Sequence, residues 1–154
     1  KSPLRMKEVM SHVDQLTTGS FLEVLDDPYV TDPSAVQRIV FCSGKVCWDA
    51  FAERAKRNAP AAIVRLEQLY PFPFEQLLEI LERYPNAREL VWLQEEPENM
   101  GPWSFVEARV WRIKERGYDL RHVSRVESGS PATGSKAIHD QELADLMDET
   151  FRDL

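Results

Sequence analysis

Four apolar runs rich in β-branched residues recur along this chain, and each gives way to a turn-forming cluster and then to a helical pattern. The runs are VQRIVFC (36–42), AAIVRLEQ (61–68), ELVWLQEE (89–96) and DLRHVSRV (119–126). A strand with one wet face alternates apolar with polar residues. These mostly do not, which predicts strands buried on both faces of a parallel sheet. In KVCWDAFAERAKRN (45–58) Val46, Cys47, Ala50, Phe51 and Ala55 share a helical face, and in FEQLLEILERY (74–84) Leu77, Leu78, Leu81 and Tyr84 do so. WSFVEARVWRIKERG (103–117) ends on Gly117, suited to the left-handed residue that closes a helix. KAIHDQELADLMDETFRDL (136–154) is an amphipathic closing helix. Such alternation with right-handed crossovers predicts an α/β fold, a three-layer sandwich around a mostly parallel sheet.

The first 33 residues follow another pattern. They lack sustained periodicity, carry one edge strand at 21–25 between Thr-Thr-Gly-Ser and Asp-Asp-Pro, and run into DDPYVTDPS, a linker. Residues 1–33 are expected to form a lead-in arm, and 34–154 the α/β domain. One domain suits 154 residues. Lys1 in place of an initiator Met fits a piece of a longer chain.

Composition narrows the partners. At 43% hydrophobic and 29% charged the chain has enough apolar material for a core, which excludes a disordered tract. Its net charge of −7 opposes a nucleic-acid surface, which needs cations to displace counterions. No run approaches the roughly 18 apolar residues of a membrane span, and no signal peptide is visible. Cys42 and Cys47 make neither a disulfide framework nor a Cys-x-x-Cys pair, so a reducing cytoplasm is expected, without a redox role. His12, His122 and His139 lack zinc spacing. Trp48, Trp92, Trp103 and Trp111 read most simply as core anchors, the alternative being that two or more of them face a partner.

Ligands of open α/β sheets gather beyond the carboxyl ends of the strands. Four loops qualify: SGK (43–45), QLYPFPFEQ (68–76), QEEPENMGPW (94–103) and SGSPATGS (128–135). Ser43 and Lys45 stand at a helix start, where an anion is stabilised; a Ser cap beside a solvated Lys is the simpler account of them. SGSPATGS divides the same way between a phosphate cup and a cap. Glu95, Glu96 and Glu98 offer carboxylates for a cation or acid–base work, or form a solvated acidic loop. In YPFPF, Pro71 disfavours helix at Tyr70, Pro73 fixes φ ahead of a helix starting near Phe74, and Phe72 and Phe74 pin the corner. No nucleophile–base–orienter set can be assembled from these residues.

VFCSGKVCWDA, AIVRLEQLYPFPFEQL, YPNARELVWLQEEPENMGPWSFVEARV and SPATGS, with the opening KSPLR, resemble the C-terminal domain of 2-oxoglutarate dehydrogenase, the thiamine-diphosphate-dependent decarboxylating component. Domains acting on 2-oxoadipate share much of the pattern. The resemblance implies a transketolase C-terminal-domain-like fold and a large homodimeric subunit of a citric-acid-cycle complex. That subunit passes a succinyl group to a lipoyl-bearing succinyltransferase. It implies a bacterial cytoplasmic setting rather than a mitochondrial matrix. It also implies that thiamine diphosphate and magnesium are bound by upstream domains, since the Gly-Asp-Gly…Asn signature is missing here. The segment then has no catalytic residue of its own and supports the dimer, with subunit contact at Glu95, Glu96 and Trp103.

Some members of that family hold acetyl-CoA on this domain through a Gln, an Arg pair and arm residues. The Gln is matched here by Gln68, which joins Ser43 and Lys45 of the helix start as candidate effector residues, but Glu75 and Gln76 stand where the Arg pair would fall, and Ser20 and Glu23 occupy the arm. An anion and an amide in place of two cations disfavour a polyphosphate. Two further departures are Ser135-Lys136-Ala137-Ile138-His139, where relatives carry an additional His, and Cys47-Trp48 in place of an aromatic pair.

Overall fold

A computed structural model describes residues 3–154; Lys1 and Ser2 of the KSPLR stretch lie outside the described residues. The sheet contains β1 (Val24–Leu25), β2 (Arg38–Cys42), β3 (Ala61–Leu66), β4 (Glu89–Pro97) and β5 (Asp119–Arg125) in the order β1-β3-β2-β4-β5. The four longer strands are parallel, as their apolar character requires, and β1 alone runs antiparallel, pairing Val24 with Leu66 and Leu25 with Arg65. The helices are α1 (Val13–Thr17), α2 (Val46–Arg57), α3 (Phe74–Arg83), α4 (Trp103–Lys114) and α5 (Lys136–Thr150). None of the described helices is long and apolar enough to cross a membrane.

Alternation along each strand divides the core in two. Ile39, Phe41, Leu90, Trp92 and Leu120 face α3 and α4, where Leu77, Ile80, Leu81, Val106, Val110 and Ile113 meet them. Val40, Cys42, Ile63, Val91, Leu93 and Val123 face α2 and α5, against Cys47, Ala50, Phe51, Leu146 and Met147. These are the three predicted layers. Gly117 adopts φ +87° beyond α4, the left-handed conformation expected of it.

Several local expectations are corrected. The edge strand covers only Val24–Leu25 rather than 21–25, and a short α1 precedes it. Ser43 does not cap α2: Gly44 turns through φ +69°, and the helix begins at Val46 behind Lys45 with no side-chain cap. Ser135 likewise precedes α5 without a side-chain cap. Ala55 is exposed, and Trp111 is 49% exposed on the outside of α4 rather than in the core.

The linker reading fails at its first two residues. Asp27 is buried and accepts hydrogen bonds from Ile63 N (2.8 Å), Tyr29 N (2.9 Å) and the Arg54 guanidinium. Burial raises its pKa above the ordinary value; the bonds from Ile63, Tyr29 and Arg54 oppose that rise only in part. Asp26 accepts from the Tyr84 hydroxyl at 2.6 Å and pairs with Arg83. The segment that reads as a solvated turn is therefore bonded into β3 and α3.

A buried pair adds little net stability, but breaking one strands its partner. Asp27→Ala leaves Arg54 and Ile63 N–H unanswered, and calorimetry is expected to show a loss of about 3–5 kcal/mol. Tyr84 supplies a pH signature. Burial, with the Asp26 hydrogen bond, raises its pKa above the ordinary 10.0. The native phenol thus holds its proton more tightly than the unfolded one, so its stabilisation is complete below pH 10 and is lost as pH climbs through the raised value. Tyr84→Phe is expected to flatten alkaline unfolding measured by circular dichroism.

Candidate functional site

Because β2 to β5 are parallel, their carboxyl ends and following loops share one edge of the sheet. Gln94, near the end of β4 and only 1% exposed, organises that edge. Its Oε1 accepts from Trp92 Nε1 (3.1 Å) and from the backbone N of Trp103 (3.0 Å). Its Nε2 donates to the carbonyls of Pro97 (3.1 Å) and Met100 (2.9 Å). One amide thereby closes the Glu98–Pro102 loop onto the start of α4. Gly101 sits at φ +69° against this amide; a Cβ there would lie 3.0 Å from Glu96 Cβ and 3.2 Å from Gln94 Nε2.

The neighbouring loops are stitched to the same frame. Asn99 Nδ2 donates to Ser128 O (3.0 Å), and Ser128 N returns a bond to Asn99 Oδ1 (3.1 Å). Arg125 donates through Nε to Glu95 O, pairs with Glu142 at 3.2 Å and reaches Pro131 O at 3.4 Å. SGSPATGS is therefore held in place by the loop after β4 and by β5. Glu98 lies 3.3 Å from His122 Nε2, and the His122 ring stacks on Trp103 with centroids 4.5 Å apart.

The candidate effector residues are not gathered into one site. Lys45 Nζ is 2.7 Å from Asp49 and 3.3 Å from Glu95. Burial would lower its pKa, but Asp49 and Glu95 outweigh that and hold it above the ordinary value, so the ammonium is already answered within the chain. Gln68 folds back, its Nε2 donating to Pro71 O at 2.9 Å, and its backbone N donates to Glu23 O. Ser43 alone of the three lines an open depression of about 510 Å³, with Leu69, Tyr70, Glu96, Gly101, Pro102 and Phe105. Tyr70 is 79% exposed there, ahead of a cis bond to Pro71, while Phe72 turns inward onto Phe105.

Of the candidate contact residues, Glu96 lies on this depression and Glu95 is turned to Lys45. Trp103 is 8% exposed and bears on the edge through Gln94 and His122 rather than as surface. Burial pushes the Cys47 thiol up to about 11 and Cys42 well above its ordinary value, so both stay protonated and unreactive at neutral pH.

Among the described residues no group of three or more His, Cys, Asp or Glu is placed to hold an ion, and Lys45 is engaged. The donor set does not fit thiamine diphosphate with magnesium, whose phosphates and metal require converging oxygen and cationic groups.

The Gln94 frame has a direct test. In Gln94→Glu a carboxylate oxygen replaces the amide donor opposite two carbonyls, and burial without a partner costs about 1–3 kcal/mol per group. Thermal unfolding is expected to show that loss at pH 7, with partial recovery on acidification as the carboxyl protonates and regains a donor.

Comparison with known proteins accords with this architecture. The model of the 2-oxoglutarate dehydrogenase C-terminal family matches residues 10–151. The chain is 40% identical over 155 residues to a 2-oxoglutarate dehydrogenase E1 component of Cupriavidus necator, covering 100% of this chain and 16% of the relative. Similar proteins of the same name come from an Exiguobacterium species (38% over 156 residues, 98% of this chain) and Azotobacter vinelandii (39% over 155 residues, 98% of this chain). The chain spans 16% of the length of each of these three relatives. With its strand-end loops QLYPFPFEQ and QEEPENMG placed as described, the chain belongs to the 2-oxoglutarate dehydrogenase C-terminal family.

Proposed function

We propose that this chain is the C-terminal domain of a bacterial, cytoplasmic 2-oxoglutarate dehydrogenase decarboxylating subunit, that it supports a homodimer, and that it is not catalytic by itself. One observation carries the reading: the chain aligns along its full length with 16% of the Cupriavidus necator relative, while the polar groups at its strand edge are spent on one another. In this reading Gln94, Lys45, Asn99 and Arg125 serve to hold loops in place rather than to meet a substrate. In this reading thiamine diphosphate and magnesium belong to the remainder of the subunit, and a lipoyl-bearing succinyltransferase receives the succinyl group. The relatives' names favour 2-oxoglutarate over 2-oxoadipate as the parent's substrate.

An effector held by Ser43, Lys45 and Gln68 is disfavoured by the same commitments. Lys45 would have to leave Asp49 and Glu95 to meet an anion, and exposed Glu75 would repel it.

Three measurements test these statements. The 154-residue chain with 2-oxoglutarate, thiamine diphosphate and magnesium is expected to release no carbon dioxide. Replacing the matching C-terminal segment of the Cupriavidus necator protein with this chain is expected to retain decarboxylation, whereas deleting that segment abolishes it. Turnover by the chain alone, or an inactive folded chimera, overturns the proposal. Calorimetry with acetyl-CoA at physiological salt is expected to give weak or no binding; low-micromolar affinity would contradict the effector statement.

A further inference from the structure

We propose that the outer edge of β5, along its carboxyl half, receives an extended peptide segment carrying a basic residue, which adds to the sheet as a further strand. The inference goes beyond the family role above and does not depend on it. The two edges of the sheet are finished differently. The outer side of β3 is taken by β1, which at two residues leaves little for another strand to pair with. On the opposite side the order ends at β5, seven residues without a proline, and among the described residues no strand lies beyond it. The irregularity between the last two strands places its extra residues in β4, between Leu93 and Pro97, so β5 itself has no bulge. Short strands, prolines and bulges are the usual means of blunting an edge whose unpaired backbone groups would recruit another strand.

The ladder identifies the free groups. Asp119 N donates to Arg88 O and Arg125 O accepts from Glu98 N, each at 2.9 Å. In a parallel strand each residue turns its N–H and C=O to one side, and successive residues alternate. Residues 119, 121, 123 and 125 therefore serve the β4 side, while Leu120, His122 and Ser124 turn their backbone groups outward.

The surroundings decide the occupant. Beside this edge β5 and α5 enclose a groove of about 330 Å³. Buried Val123 and Leu146 line it, and Val126 stands 81% exposed at its end. Its charged groups are Arg125, Glu142, Asp145 and Glu149. Arg125 is spent on Glu142 and on Glu95 O, and Glu149 is met by Arg121 and Arg152. Exposed Asp145 accepts from Gln141 Nε2 at 2.8 Å and meets no cation among the described residues; nor does exposed Glu127, just past the strand. Lys136, at the start of α5, is held by Asp140, and His122 turns to the opposite face, against Glu98 and Trp103. Lys114, Glu115 and Arg116 precede the amino end of β5, so the surplus of negative charge lies along its carboxyl half. An extended backbone answers the outward N–H and C=O groups, an apolar side chain fits the groove, and a cation answers Asp145. A helix would leave the edge unpaired, and an acidic segment would be repelled.

Amide hydrogen exchange read by NMR on this chain tests the edge. In the free chain the amides of Leu120, His122 and Ser124 are expected to exchange faster than those of Arg121, Val123 and Arg125. The capped peptide Thr-Val-Thr-Lys-Thr-Val-Thr is expected to protect those three amides saturably within about 1 mM, and its Lys-to-Glu counterpart to bind at least about tenfold more weakly. Ser124→Pro removes one outward N–H without touching the ladder to β4, and raises the dissociation constant about tenfold or more. Asp145→Lys, at an exposed position, reverses the preference between the two peptides, and it keeps the test decisive if circular dichroism shows Ser124→Pro to be unfolded. Three results overturn the proposal: no protection of these amides by the lysine peptide, a preference unchanged in Asp145→Lys, or protection without peptide that grows with chain concentration, as pairing with a second copy would give.

Discussion

The central strand β2 is paired on both edges and covered on both faces, and the rest of the structure is arranged around that enclosure. All five of its residues are buried, including Arg38 at 2% exposed. A guanidinium cannot lie in such a place unanswered. Arg38 therefore reaches Glu89 through Nε and Nη2, and donates through Nη1 to Thr150 O at 2.7 Å. One strand thus draws in the start of β4 and the end of α5. The two remaining faces call for the apolar sides of α2 and α5 below and of α3 and α4 above.

At the other end of the strands the same economy of polar groups determines what the domain offers. A loop shaped to receive a ligand keeps donors or cations free; here Gln94, Arg125 and Asn99 turn theirs to backbone and leave an edge of rigid, prefolded turns. Such an edge suits a neighbouring protein surface better than a small anion. That agrees with a chain whose relatives extend far beyond the matched segment.

Periodicity revealed the layers because each helix or strand writes its buried face locally: Ile39, Phe41 and Leu77 are inward for reasons visible within a few residues. What it could not reveal depended on distant partners. Asp27 looks like a turn former beside Pro28, and only the arrival of Ile63 and Arg54 makes it a buried acceptor. Gln94 hides at the head of an acidic loop, and its role requires Trp92, Trp103 and Met100 around it; the nearest signal was its place before two glutamates and a Pro in an otherwise apolar strand. Trp111 misled in the opposite sense, since an aromatic two residues before Ile113 falls on the outer side of α4. Lys45 was legible as a charge at a strand end, but Asp49 and Glu95 had already claimed it.

The bond from Arg38 to the carbonyl of Thr150 closes a loop of 112 residues. On the ribosome, at about 5–20 residues per second, roughly 6–20 s separate the synthesis of the two ends. Through that interval β2 can collect its neighbours, but the acceptor for one nitrogen of Arg38 has yet to be made. The last turn of α5 therefore acts as a latch, and the hydrogen bonds of the Arg38 guanidinium are complete only as that turn emerges. A nascent chain stalled short of it would hold the Arg38–Glu89 pair with one guanidinium nitrogen still lacking its acceptor.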